Sequence, residues 1–241
     1  MIRTEHRDAV TVVTLDRPER RNAVDREALH GLETVIDELP GSTRVLVLTG
    51  SGGHFCAGAD LRGVEDPAFV ATLTGVLRRL REVPLPTMAA VDGFALGAGT
   101  QIAMACDLRS ATAAARFGVP AAKLGLMVDQ WTIRRLVGLV GQSAARDLLL
   151  SADPITGERA HALGFVQRLG GVDEALQWAD RIAALAPLTL AGLKVGLNEA
   201  DGDDAVTPAF ADAFARAWAS DDLAEGLRAF GEKRIPNFEG R

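Results

Sequence analysis

The 241-residue sequence predicts an α/β fold followed by a helical tail, and three observations carry that expectation. Short β-branched runs alternate with amphipathic helical segments through the first two-thirds of the chain, the pattern of a layered α/β architecture. Beyond Ile133 the strand signals almost vanish, apart from residues 165–169. From about Pro187 the composition shifts towards Ala, Leu and Asp, which divides the chain into a core over 1–186 and a helical subdomain over 187–241.

Val10–Leu15 reads VTVVTL, a β-branched run that ends at the turn Asp16-Arg17-Pro18. Asp25 is placed to cap a helix over 26–39, where Ala28, Leu29, Leu32, Val35, Ile36 and Leu39 keep helical spacing. Gly41 and Ser42 break it before the apolar run RVLVL at 44–48, a short buried strand. Pro67 opens a second helix with Phe69, Val70, Leu73, Val76, Leu77 and Leu80 on one face. Pro84 and Pro86 close it ahead of a strand over Thr87–Val91. A helix over about Ala98–Ala105 follows, then a short strand near Leu108. The segments 172–185, 188–199, 205–218 and 221–234 read as helices.

Composition excludes several classes. A net charge of −6 gives no support to a nucleic-acid-binding role. Cys56 and Cys106 form no CxxC pair and no disulfide framework, and their apolar surroundings read as buried structural thiols. The charged start at residues 3–8 has no apolar signal region. No stretch approaches the ~18 uninterrupted apolar residues of a membrane span. The expected compartment is a reducing cytoplasm. His6, His30, His54 and His161 lack metal-ligand spacing, so no metal is expected. No GxSxG elbow is present, which disfavours serine hydrolase chemistry.

The informative stretch is VDGFALGAGTQIAMACDLRSATAAARFGVPAAKLGL at 91–126. Gly97-Ala98-Gly99 lacks the third glycine of a dinucleotide fingerprint, because Ile102 stands there. Gly53 and Gly58 have phosphate-loop spacing, but Ala59-Asp60 replace the required Lys-Ser/Thr. A third reading fits better. Gly97 and Gly99 open an apolar helix, whose first N–H groups have no internal partners and carry partial positive charge. Such donors suit a thioester oxygen on its way to an enolate; a simple tight turn is the alternative. A second glycine loop, SGGHFCAGADL at 51–61, adds more accessible backbone behind a buried strand.

Together with Arg17-Pro18, Asn22-Ala23, FGVP and LVG, these segments resemble the enoyl-CoA hydratase/isomerase (crotonase) superfamily over roughly residues 10–169. The resemblance implies a ββα spiral core that binds coenzyme A thioesters, with no other cofactor. It also implies a C-terminal helical subdomain that assembles trimers, often stacked as hexamers. On that basis the backbone N–H groups of Ala59 and Ala98 should form an oxyanion hole. Arg20, Arg21 and Ala23, with Ala57, Asp60 and Leu61, should cradle the adenine and pantetheine parts. Arg62 matches a position often cationic in the family, near the phosphates, or else is a solvated charge. Lys233 matches a basic C-terminal segment able to reach coenzyme A.

Two departures matter. The family's hydratases use two carboxylates to activate water and deliver a proton, and here Gln101 and Ala121 stand at those positions. An amide orients water but exchanges no proton near neutral pH. The resemblance therefore implies acyl-CoA binding in fatty-acid metabolism, with hydration weak or absent. Asp129 matches an aspartate of the family's dienoyl-CoA isomerases and aroyl-CoA dehalogenases. It is a base for shifting a double bond, the N-cap of a helix beginning near Gln130, or both at once. Trp131 either reshapes the acyl pocket or is an ordinary core aromatic.

Overall fold

Alternate residues of the central strands separate onto two buried faces. Val13, Leu15, Leu46, Leu48, Ala89 and Val91 pack into the larger core with helices, while Val10, Val12, Val45, Val47, Met88 and Ala90 pack into a second one. Strands covered on both faces in this way read as continuous apolar runs. The computed structural model describes residues 1–62, 65–185, 187–200, 215, 218–234 and 236. The helix expected over 205–218 lies outside the described residues except at Ala215 and Trp218.

The strands are β1 Ile2–Arg7, β2 Val10–Leu15, β3 Val45–Gly50, β4 Thr87–Val91, β5 Phe94–Leu96, β6 Leu108–Ala111, β7 Arg116–Gly118, β8 Ile155–Thr156 and β9 Arg168–Leu169. One sheet has the order β1-β2-β3-β4-β6-β9, antiparallel at β1–β2 and parallel elsewhere. A second sheet, β5-β7-β8, stands beside it. The helices are α1 Arg26–Asp37, α2 Pro67–Glu82, α3 Ala98–Ala105, α4 Gln130–Leu150, α5 Gly157–Ala162, α6 Val172–Ala183, α7 Pro187–Ala200 and α8 Asp221–Glu232. Aspartates cap three of them: Asp25, Asp66 and Asp129 accept the N–H groups of Ala28, Ala68 and Thr132 at 3.0, 2.9 and 3.0 Å. Helix α6 covers the second core, with Ala175 and Ala179 against the sheet.

Two expectations need correction. Strand structure does continue after Ile133, because Ile155–Thr156 pairs antiparallel with β7. The strand expected over 165–169 shortens to β9, since the Phe165 carbonyl accepts from Arg109 Nε at 2.5 Å instead of joining a ladder. Helix α7 is clasped to the turn before β4. Lys194 Nζ donates to the carbonyls of Leu80 (2.9 Å) and Leu85 (3.0 Å) and lies 2.8 Å from Asp107. Among the described residues, no helix is long and apolar enough to cross a membrane.

Candidate functional site

The two glycine loops meet because their backbones fit edge to edge. Phe55 and Cys56 donate to the Asp92 and Phe94 carbonyls at 2.8 Å each, and Leu96 returns a bond to Cys56 at 3.0 Å. On the other side Val24 donates to Gly58 (2.9 Å), Asp60 to Val24 (2.8 Å) and Ala57 to Arg21 (2.9 Å). The amide of Asn22 locks this arrangement by donating to the carbonyls of Ser51 (2.9 Å) and His54 (2.6 Å). Gly58 adopts φ +115° and Gly97 φ +51°, conformations open to glycine, and the Gly58 Cα lies 3.9 Å from where a Cβ on Gly97 would sit. The flanking amides of Ala57, Asp60 and Gly97 donate within the fold, whereas the N–H groups of Ala59 and Ala98 have no partner among the described residues. Ala98 is the first residue of α3, so the helix terminus adds partial positive charge beside it.

Both alanines line one cavity of about 810 Å³, inside the range of small-molecule sites. Arg20, Arg21, Ala23, Ala57, Asp60, Leu61, Arg62, Gln101, Ala121 and Asp129 line it too. Trp131 does not; it is half-buried and packs against the core. Lys233 is exposed at the end of α8, whose Phe230 and Gly231 reach the cavity. His54 stays outside, stacked on Phe94 with ring centroids 4.8 Å apart. Cys56 and Cys106 are buried, and burial pushes both thiols up to about 12, so they stay protonated at neutral pH.

Charge at the cavity rim is partly committed. Arg62 hydrogen-bonds both oxygens of Asp60, at 3.1 and 2.8 Å, and its backbone N–H adds a third bond at 3.2 Å. Arg17 Nη1 lies 3.3 Å from the same carboxylate. The Arg62 bonds, helped by the charge of Arg17, hold the Asp60 carboxyl down at about 2. Arg20 and Arg21 form no ion pair among the described residues and remain available to an anionic ligand.

A carboxyl held below its unfolded value of about 3.9 stabilises the fold above that pH and loses the contribution as pH falls towards the native value. Asp60→Asn should therefore cost up to about 2 kcal/mol at pH 7 in urea unfolding. The gap to the wild type should close between about pH 4 and about pH 2. A gap that persists unchanged at the acid end would show that the Asp60 charge is not its source.

Further in, Gln101 is buried and its Nε2 donates to Thr132 Oγ1 at 2.7 Å. Asp129 lines the cavity, but its Oδ1 accepts the Thr132 N–H, which makes it the N-cap of α4. Thr132 thus accepts from Gln101 through its hydroxyl and donates to Asp129 through its N–H; the first contact spans 31 residues and is invisible in the sequence. The remaining wall is apolar, built by α2 through Phe69, Val70, Leu73 and Leu77, and by Leu227 and Phe230 of α8. The α2 residues read in sequence as an ordinary core face, and the α8 residues as an assembly surface.

The chain belongs to the enoyl-CoA hydratase/isomerase family, whose model matches residues 5–241. It is 42% identical to a probable enoyl-CoA hydratase of Mycobacterium tuberculosis, over all of both chains. It is 36% identical to the 2,3-dehydroadipyl-CoA hydratase of Escherichia coli, over 96% of each. Among solved structures it resembles a methylmalonyl-CoA decarboxylase in complex with 2-nitronate-propionyl-CoA, with a TM-score of 0.89 at 26% identity, covering 100% of this chain and 98% of that one. The fold is accordingly the mixed α/β crotonase fold of that family. Among the described residues, no cluster of His, Cys, Asp or Glu is arranged to hold a metal ion.

Proposed function

We propose that this protein binds fatty acyl-CoA thioesters in fatty-acid metabolism and hydrates enoyl-CoA weakly or not at all. The carrying observation is the pair of unused N–H groups of Ala59 and Ala98 on one cavity. Donors fixed beforehand and aimed at one oxygen polarise a thioester without needing an acid or a base. Arg20 and Arg21 line the cavity and supply cations for the nucleotide phosphates, and the decarboxylase that the chain resembles was solved with a coenzyme A thioester analogue bound. No carboxylate stands at either of the hydratase positions, since Gln101 and Ala121 occupy them.

Asp129 is the residue on which a double-bond isomerase would rest. Its place on the cavity supports that second reading; its bond to the Thr132 N–H engages one carboxylate oxygen as a helix cap, and Ala121 on the same cavity offers no second proton-transfer group. Calorimetry should find acyl-CoA binding that depends on the thioester, and assays with 3-enoyl- and dienoyl-CoA should find no conversion. No acyl-CoA binding by the folded chain would sink the proposal. Isomerisation that disappears in Asp129→Asn would replace it with the second reading.

The same reading places the protein in the cytoplasm as a homotrimer or a dimer of trimers. Helix α7 supports the assembly: Lys194 anchors it while Leu193 and Leu197, four residues apart on one face, stay 59% and 69% exposed. Apolar side chains clustered on one exposed helix mark an interaction face. Light scattering should report three or six copies, and a stable monomer would contradict the assignment.

A further inference from the structure

We infer that the acyl compartment takes a plain hydrocarbon chain of about ten carbons and turns away an acyl chain that ends in a carboxylate. The inference rests on the thioester reading above and concerns the walls beyond Ala59 and Ala98. Phe69 and Leu77 both line the cavity, eight residues apart on α2, so this wall runs about 12 Å along the helix axis. Three bonds of an extended chain span about 3.8 Å, so the wall lies alongside about nine bonds. A four-carbon acyl group would leave most of it unfilled.

Helix α8 adds Leu227 and Phe230 and is seated too closely to yield. A Cβ on Gly226 would fall 2.1 Å from the Leu124 carbonyl oxygen, and one on Gly125 would fall 2.3 Å from that of Asp222. Backbone therefore rests on backbone at both points, and the wall is a fixed part of the fold.

The polar side chains on this side are engaged within the protein. Thr74 Oγ1 donates to the Val70 carbonyl at 2.9 Å, Gln101 Nε2 donates to Thr132, and Asp129 caps α4. Helix α2, residues 119–129 and helix α8 contribute no cation to the lining; among the described residues its cations are Arg20, Arg21 and Arg62. A carboxylate carried in among these segments would meet Asp129 and, among the described residues, no counter-charge, and burying an unpaired charge is strongly unfavourable.

Calorimetry of the full chain with coenzyme A and its butyryl, hexanoyl, decanoyl and adipyl thioesters tests this. Affinity should rise up to about fourfold per methylene from butyryl to decanoyl. Adipyl-CoA, equal in length to hexanoyl-CoA, should bind at least about thirtyfold more weakly. Leu227→Trp should weaken decanoyl-CoA at least about tenfold more than butyryl-CoA. Equal affinity for butyryl- and decanoyl-CoA, both above coenzyme A, would overturn the length inference and leave the thioester reading standing. Adipyl-CoA binding as well as hexanoyl-CoA would overturn the exclusion. No preference for any thioester over coenzyme A would overturn the thioester reading itself.

Discussion

Gly99→Ala is expected to cost about 3 kcal/mol of stability and to abolish the preference for an acyl thioester over free coenzyme A. A Cβ at this position would stand 2.2 Å from the Cys56 carbonyl oxygen, 2.9 Å from the Cys56 Cβ and 3.0 Å from its carbonyl carbon. Those atoms cannot step aside, because Cys56 is bonded through both its N–H and its carbonyl to β5. The first turn of α3 would have to move instead, taking Ala98 away from Ala59. Two donors act on one oxygen only while their spacing holds, so a shift of this kind would remove the proposed oxyanion site and leave Arg20 and Arg21 in place. Gly41→Ala is the control, since nothing lies within 4 Å of its added methyl and its φ is ordinary. Urea unfolding and calorimetry read the two effects separately. A Gly99→Ala protein with wild-type stability and an intact thioester preference would show that the loops do not set the donor spacing.

The same contact explains why the site was so legible in the sequence. Glycines were needed where backbone meets backbone, at Gly58, Gly97 and Gly99, and those positions stand out in any reading of the chain. Helices α1, α2 and α3 were also plain, because each carries a cap or proline at its start or an apolar run of helical length. β1 was hidden for the opposite reason. It is an exposed edge strand reading IRTEHR, and its charges look like a solvated terminus although they suit an unpaired edge. β5 and β7 have three residues each, too few to display a period. Trp131 could be ranked as pocket or core only by knowing which face of α4 turns inward. Gln101 was singled out by the family resemblance, but its bond to Thr132 depends on how α3 and α4 pack, and local sequence carries no trace of that.

Hydration of crotonyl-CoA by the wild type should remain near the detection limit, and Gln101→Glu combined with Ala121→Glu should raise it by about 10²–10⁴. The reaction needs one group to activate water and another to protonate the α carbon, and neither the Gln101 amide nor the Ala121 methyl exchanges a proton. The scaffold is suited to the restoration. Thr132 Oγ1 lies 2.7 Å from Gln101 Nε2, and a hydroxyl that accepts from an amide can turn to donate to a carboxylate. A glutamate at 101 would therefore keep its anchor. Ala121 and Asp129 line the same cavity, so the two new carboxyls would share it with an existing one. Mutual repulsion should raise the pKa of at least one of them, which favours the protonated form that an acid needs. Each single substitution should give much less than the pair, because a base without an acid leaves half the reaction unassisted. Wild-type turnover comparable to ordinary enzymes, at about 10 s⁻¹, would instead mean that another group in the cavity moves the protons, and Asp129 would be the first to replace.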